Sequence, residues 1–180
     1  DGVLENPKVD AAMGIHIWSG IPSGQVGISS GTVMGGLDVF KLRITGKGGH
    51  TGYPHQAVDP VIAAAAVIQT VQAVQTREMD AKDPVIIMFG RLRAGEKANI
   101  IPTHADLEGT IRFLTALPED SPDNPTQKFI RICRHICDAH RCTCTIDINH
   151  ENIPLVNDEQ MVQMARRTAV RVFGSPDAVV

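Results

Sequence analysis

Aromatic residues are scarce in this sequence: its 180 residues contain one Trp, one Tyr and five Phe. A chain with so few rings offers no stacking platform for nucleic-acid bases. The formal net charge of -3 gives no attraction for nucleic acid or for an anionic membrane either. No apolar run reaches the roughly 18 residues of a membrane span, and the N-terminus lacks the basic-then-apolar order of a signal peptide. We therefore expect a globular protein with no nucleic-acid and no membrane partner.

Cysteines are also few, and all four fall between residues 133 and 144. Such clustering does not build a disulfide framework in a chain of this length, so we expect a reducing, cytoplasmic setting. Cys142 and Cys144, with His135 and His140 nearby, suggest a structural zinc site. Alternation along a strand, however, puts both thiols on its apolar face, and the spacing is not Cys-x-x-Cys. We predict packed thiols at this position.

Regular periodicity extends over residues 38–149. Alternating apolar residues mark strands near 38–45, 105–113 and 142–149, and a continuous apolar run marks another near 85–92. Apolar spacings of three and four mark helices near 59–77 and 129–137. The order is strand, helix, strand, strand, helix, strand. It predicts an α+β, ferredoxin-like β-α-β-β-α-β fold, in which one antiparallel sheet carries both helices on one face.

The segments that flank this unit are less regular. Residues 1–37 contain a short run, 13–18, that looks like a buried strand, and residues 150–180 begin a helix with a capping box at 157–160. Neither segment closes into a domain by itself. The chain starts at Asp1 without a Met and stops at Val180 without an obvious helix end. We interpret it as part of a longer protein.

A glycine-rich stretch, residues 46–55, separates the first strand from the first helix and carries His50. Four glycines in seven residues suit a loop whose backbone turns sharply or approaches another group closely. The stretch lacks the register of a phosphate-binding loop. A histidine on such a loop is well placed to reach a ligand. The alternative is an ordinary turn whose histidine contacts only solvent.

Three further polar residues are candidates for chemistry. His16 lies in an apolar run and is either a core histidine or a metal ligand. Asn99 either satisfies the backbone of a turn or binds a ligand, and Arg112 either pairs with Glu108 or binds a ligand. Considered together, His50, Asn99 and Arg112 are hydrogen-bond donors on loops or on the polar sheet face. Such a set suits a carboxylate and a developing oxyanion.

Several motifs resemble a known family in their content and order. They are Gly14-Ile15-His16-Ile17-Trp18, Asp38-Val39-Phe40, Gly46-Lys47-Gly48-Gly49-His50, Pro54-His55, Val58-Asp59-Pro60, Asn99-Ile100-Ile101-Pro102 and Gly109-Thr110-Ile111-Arg112. The family is that of the dinuclear-metal amidohydrolases, which includes hippurate hydrolase, N-acyl-amino-acid amidohydrolase and the plant auxin-conjugate hydrolases. Aminoacylase and carboxypeptidase G are relatives. The match is dense from residue 12 to about residue 115.

The resemblance implies a metallopeptidase-like catalytic domain interrupted by a ferredoxin-like lid that also forms a homodimer. Residues 38–149 would be the lid, and residues 1–37 and 150–180 would belong to the catalytic domain. The family pattern makes His16 a metal ligand. By the same resemblance, His50 would reach into the partner subunit's site and stabilise the oxyanion. The pattern also assigns Asn99 and Arg112 to the substrate's carboxylate.

The resemblance also implies two divalent metal ions, zinc or manganese, that activate water for attack on the amide of an N-acyl amino acid or a related peptide. The family's Cys-x-His ligands, paired glutamates and last histidine have no counterpart in the 180 residues. They would lie before Asp1 and after Val180. We therefore expect this chain alone to hold no metal tightly and to be inactive, although the parent enzyme is active.

A different class of function also fits the pattern. The six-element unit is complete without any catalytic residue, so the chain is alternatively a free-standing regulatory or scaffolding dimer module. A small effector that stabilises the chain without involving the His50 loop would favour this alternative. In either case residues 85–92 form a strand that is apolar on both faces and, in the common ferredoxin-like order, lies at an edge. We expect that edge to pair across a two-fold axis.

Overall fold

The computed structural model describes residues 2–180. Its strands are β1 (Gly31–Met34), β2 (Gly36–Thr45), β3 (Gly49–His50), β4 (Ile86–Ala94), β5 (Ile100–Ile101), β6 (His104–Phe113), β7 (Thr143–Asn152) and β8 (Leu155–Asn157). Its helices are α1 (Pro60–Ala73), α2 (Pro125–Ala139) and α3 (Glu159–Phe173), with short helical turns at Pro54–Gln56, Val74–Glu78 and Pro176–Ala178. None of the helices in this described part has the length and apolar content that a bilayer crossing needs.

Residues Met34–Leu155 form one compact unit, built on a four-stranded antiparallel sheet in the order β4-β6-β2-β7. The central pair, β2 and β6, is in register from Gly36 opposite Phe113 to Thr45 opposite His104. This strand order, with its two intervening helices, is the predicted ferredoxin-like arrangement, and the fold prediction is confirmed. It places β4 at one edge and β7 at the other.

Both helices cover the same face of the sheet. Along β2 the residues Phe40, Leu42 and Ile44 are buried, whereas the residues between them are exposed or half-buried. The buried residues meet α1 and α2, which also contact each other. Side-chain oxygens of Asp59 and Asn124 cap the N-termini of α1 and α2, and a proline follows each at the first helical position. The opposite sheet face carries mostly polar side chains and is not covered by either helix.

The thiols lie in this core, as predicted. Cys133, Cys137 and Cys142 are buried and Cys144 is half-buried. Burial, with a smaller contribution from the neighbouring Cys144, raises the pKa of the Cys137 thiol to about 12. Across residues 2–180 no group of three or more His, Cys, Asp or Glu side chains is arranged to hold a metal ion. The three buried thiols are therefore packing groups of the core.

The second compact unit comprises the residues up to Val33 together with Val156–Val180. Helix α3 begins at the Asp158 cap, whose carboxylate accepts the N–H of Met161, and ends at Gly174 in the left-handed region. The prediction of a buried strand at residues 13–18 was wrong: this run is irregular, and Ile15 and Ile17 are more than nine-tenths exposed. An extended run needs a neighbouring strand for its backbone, and it has none among the described residues.

Candidate functional site

The glycine stretch is held at the end of the central strands by its own backbone. Gly46 N–H donates to Thr103 O at 2.9 Å, and Lys47 exchanges two 2.9 Å hydrogen bonds with Val58. A Cβ on Gly46 would overlap the carbonyl oxygen of Val58, so no larger residue fits. The loop is therefore fixed between the β5–β6 turn and the segment that enters α1.

His50 and Asn99 are brought together by two short strands. In β3, His50 lies opposite Ile100 of β5, and Thr51 N–H donates to Asn99 O at 3.1 Å. Asn99 is thus adjacent to the histidine although 49 residues separate them in sequence. Both side chains are exposed. The backbone of two of the three predicted donors is consequently held together in one short ribbon.

The His50 ring is oriented by the backbone that follows it. Gly52 N–H donates to Nδ1 at 3.0 Å, and the Tyr53 ring lies 5.9 Å away, centroid to centroid. Because Nδ1 accepts this hydrogen bond, it has no hydrogen of its own, and the neutral ring carries its hydrogen on Nε2. The imidazole therefore presents an N–H donor to solvent. A donor of this kind can stabilise an oxyanion.

Arg112 is not part of this pair. It is exposed on the helix-free face of β6, opposite Leu37 and Ile86, whereas the glycine loop lies at the His104 end of the same strand. The eight residues from His104 to Arg112 span roughly 26 Å at about 3.3 Å per residue. Within one chain the long β6 strand therefore separates the guanidinium from the other two groups.

The alternative interpretation of Arg112, a pair with Glu108, is also not observed. Glu108 accepts a 2.7 Å hydrogen bond from Arg91 instead. In the described part of the chain no carboxylate forms an ion pair with Arg112.

His16 lies in the second compact unit and is exposed. Its Nδ1 lies 2.6 Å from the carbonyl oxygen of Ile17, and its ring meets that of Trp18 edge-on at 5.8 Å. A carbonyl only accepts, so Nδ1 carries the hydrogen and Nε2 keeps its lone pair, which is the form that binds a metal. One imidazole does not make a metal site, and residues 2–180 supply no cluster to complete it.

A polar cluster at the Arg112 end of the sheet was missed by the sequence reasoning. Asp38 is buried, and its carboxylate accepts 2.6 Å and 2.7 Å hydrogen bonds from Thr126 Oγ1 and His150 Nδ1. A cavity of about 490 Å³ opens beside His150. The alternation of β2 could have predicted that Asp38 is buried, because Asp38 lies on the same face of the strand as the buried Phe40.

Comparison with known proteins identifies the compact unit. A family model described as "Peptidase dimerisation domain" matches residues 35–141. Thermostable carboxypeptidase 1 of Saccharolobus solfataricus is 34% identical over 85% of this chain and 40% of its own length. N-acyl-L-amino acid amidohydrolase of Geobacillus stearothermophilus is 31% identical over 88% of this chain and 42% of its own length. The chain thus spans about 40% of these relatives.

Solved structures agree on the fold. A candidate aminohydrolase from methicillin-resistant Staphylococcus aureus superposes with a TM-score of 0.83 and 26% identity, over 97% of this chain and 50% of that one. Bacillus subtilis YXEP, described as a dinuclear metal binding peptidase, superposes with a TM-score of 0.70 and 22% identity, over 92% of this chain and 39% of that one. The second likeness concerns the fold alone.

Proposed function

Since this chain belongs to the peptidase dimerisation-domain family, we propose that it is the lid and dimerisation portion of a metal-dependent amidohydrolase that cleaves the amide bond of N-acyl amino acids. Residues 38–149 form the lid, and residues 1–37 and 150–180 belong to the catalytic domain. The observation that carries the proposal is the pairing of β3 with β5, which presents the Nε2–H of His50 beside Asn99.

Each donor has a role that its position supports. His50 donates from Nε2 to the oxyanion that forms when the amide carbonyl is attacked. Asn99, on the segment whose backbone pairs with that of the His50 loop, donates its amide to the substrate. Arg112 binds the α-carboxylate through two parallel hydrogen bonds. None of the three transfers a proton in this scheme; they position the substrate and stabilise charge.

The separation of Arg112 from His50 requires two subunits. The scissile carbonyl carbon and the carboxylate carbon of an N-acyl amino acid are three bonds apart, at most about 4 Å. A single lid whose two donors lie at opposite ends of a strand of roughly 26 Å cannot contact both groups. In the proposed homodimer, each active site takes His50 and Asn99 from one lid and Arg112 from the other.

The dimer forms along the edge strand β4. Ile86 and Met88, which alternate onto the helix-free face, are each more than half exposed, and Leu92 is nearly so. An apolar, unpaired edge is an aggregation hazard that a second copy removes by extending the sheet. Pairing of β4 with its symmetry mate satisfies the backbone groups of this edge and places these side chains beside their copies.

In the whole enzyme a metal pair, zinc or manganese, would supply the activation of water. The described residues do not fit a metal pair, since they offer His16 alone. The other ligands are residues outside this chain. Reduced core thiols support a cytoplasmic location.

The direct test is to express the chain with its flanking segments and to assay N-acyl amino acids with added Zn²⁺ or Mn²⁺. We expect hydrolysis that the metal supports and that a chelator abolishes. The 180-residue chain serves as the control and should release no amino acid. A folded, metal-loaded enzyme that hydrolyses no N-acyl amino acid would contradict the proposal.

A further inference from the structure

A groove of about 920 Å³ lies beside the glycine loop, separate from the cavity at His150. Its walls are the loop residues Gly46–Gly49, the turn that follows β4 and the β5–β6 segment. It therefore adjoins the surface that carries His50 and Asn99, because β5 pairs with β3. None of the roles proposed above uses this groove.

Arg93 enters the groove from β4 without a partner. It lies opposite Asp106 of β6, the position from which a carboxylate would normally neutralise it. Asp106 is already engaged: Arg43 donates from Nε to Oδ1 at 2.7 Å and from its terminal amino group to Oδ2 at 2.9 Å. These hydrogen bonds lower the pKa of Asp106, so it stays ionised and bound to Arg43. The Arg93 guanidinium is left without a carboxylate among the described residues.

A second arginine on the same strand shows the contrast. Arg91 also lies on the helix-free face, opposite Glu108, and donates a 2.7 Å hydrogen bond to that carboxylate. Arg91 does not line the groove. The two exposed arginines therefore differ in charge pairing as well as in position: a carboxylate neutralises Arg91, and none in the described chain neutralises Arg93.

The remaining charges of the groove reinforce Arg93. Lys47 and Lys97 line it, and within residues 2–180 neither forms an ion pair. Glu96 is the one carboxylate of the lining left after Arg43 neutralises Asp106. Positive charge therefore exceeds negative charge at a concave surface, where the field of like charges adds.

We infer that this groove is an anion-binding subsite, with the Arg93 guanidinium as its centre and Lys47 and Lys97 at its sides. It takes a carboxylate or a phosphate group, the anions whose geometry matches a guanidinium fork. Because the groove lies beside the His50 loop, the bound anion could have either of two sources. One is an acidic side chain of the substrate, which rests on the proposed function, and the other is a free anion.

The first test measures anion binding without catalysis. The 180-residue chain is titrated with inorganic phosphate and with glutarate at constant ionic strength, and NMR shifts of the backbone amides report occupancy. We expect shifts at Lys47, Arg93 and Lys97, and at least about a fivefold weaker Kd in Arg93→Gln. Arg91→Gln is the matched control and should bind within about twofold of the wild type.

Circular dichroism confirms that both variants are folded, as expected for exposed side chains. Phosphate and glutarate shifts that are absent, or that Arg93→Gln leaves unchanged, would overturn the inference. Anion binding that is weakened equally in Arg93→Gln and Arg91→Gln would also overturn the inference, because the loss would then reflect overall surface charge and not the groove.

The second test separates the two sources in the enzyme with its flanking segments. The kcat/KM ratio for N-acyl-glutamate over N-acyl-glutamine is compared in wild type, Arg93→Gln and Arg91→Gln. A ratio that falls only in Arg93→Gln identifies the substrate side chain as the anion. A ratio that does not change, with phosphate binding lost, identifies a free anion. An enzyme that hydrolyses no N-acyl amino acid refutes the proposed function and leaves the phosphate titration as an independent result.

Discussion

Thr126 donates a 2.6 Å hydrogen bond from its hydroxyl to the buried carboxylate of Asp38. The bond joins the first turn of α2 to the central strand β2, and both residues are buried. Hydrogen bonds to buried charged groups contribute about 1.5–3 kcal/mol. We expect Thr126→Val to lower the free energy of unfolding by about this amount in urea denaturation.

The control for this variant is Thr145→Val, on the exposed face of β7. The same chemical change there should alter stability by less than about 0.5 kcal/mol. Equal effects of the two substitutions would show that the Asp38 contact is not a stabilising interaction.

Gly109 is the point at which β6 passes beneath the Phe40 ring. A Cβ at Gly109 would overlap both that ring and the carbonyl oxygen of Met88, so the close approach requires glycine. We expect Gly109→Ala to destabilise the fold by about 1–3 kcal/mol, as overpacking does. Gly90, in the neighbouring strand, has open space around it, and Gly90→Ala should stay within about 1 kcal/mol of the wild type. Thermal unfolding of the two variants measures this difference, and equal destabilisation would show that the close packing at Gly109 is not its cause.

The His50 ring should exist as one tautomer. With Gly52 N–H donating to Nδ1, the neutral imidazole carries its hydrogen on Nε2. Two-bond ¹H–¹⁵N correlation spectra of the chain near pH 8 should therefore show a protonated Nε2 and an unprotonated Nδ1. His55, whose Nε2 lies 3.4 Å from the Gln56 amide nitrogen, is an internal comparison. A protonated Nδ1 on His50 would remove the proposed oxyanion donor.

The β4 edge should control self-association. Met88→Lys places a charge on the exposed apolar edge, and we expect it to convert a dimer into a monomer in sedimentation velocity. Thr145→Lys, on the opposite edge strand β7, should leave the dimer intact. A wild-type chain that is monomeric at high concentration, or a dimer that Thr145→Lys dissociates, would reject pairing through β4.

The fold was predictable because local patterns and topology agree. Phe40, Leu42 and Ile44 alternate along β2, and Asp59 followed by proline marks the start of α1. A β-α-β-β-α-β order leaves few ways to build one sheet, so the position of β4 at an edge followed from the order. The pairing of His50 with Ile100 was not visible, because a two-residue strand has no periodicity.

The relative positions of the candidate site residues could not be predicted, because local sequence patterns do not give the distances between distant residues. Arg112 belongs to the same donor class as His50, yet the length of β6 separates them. Asp38 belongs to one of the family motifs, but it also lies two residues before Phe40 in β2, on the same face, and its carboxylate is therefore buried. The predicted strand at residues 13–18 failed because its apolar residues need a neighbouring strand that the described residues do not provide.

If each active site takes His50 from one subunit and Arg112 from the other, mixed dimers of two inactive variants should regain activity. In the enzyme with its flanking segments, His50→Gln and Arg112→Gln should each lose about 100-fold or more in kcat. Random pairing of equal amounts makes half of the dimers mixed, and each mixed dimer has one intact site, so activity should return to about one quarter of wild type. Mixed dimers, verified by two affinity tags, that remain at the level of the single variants would contradict the claim.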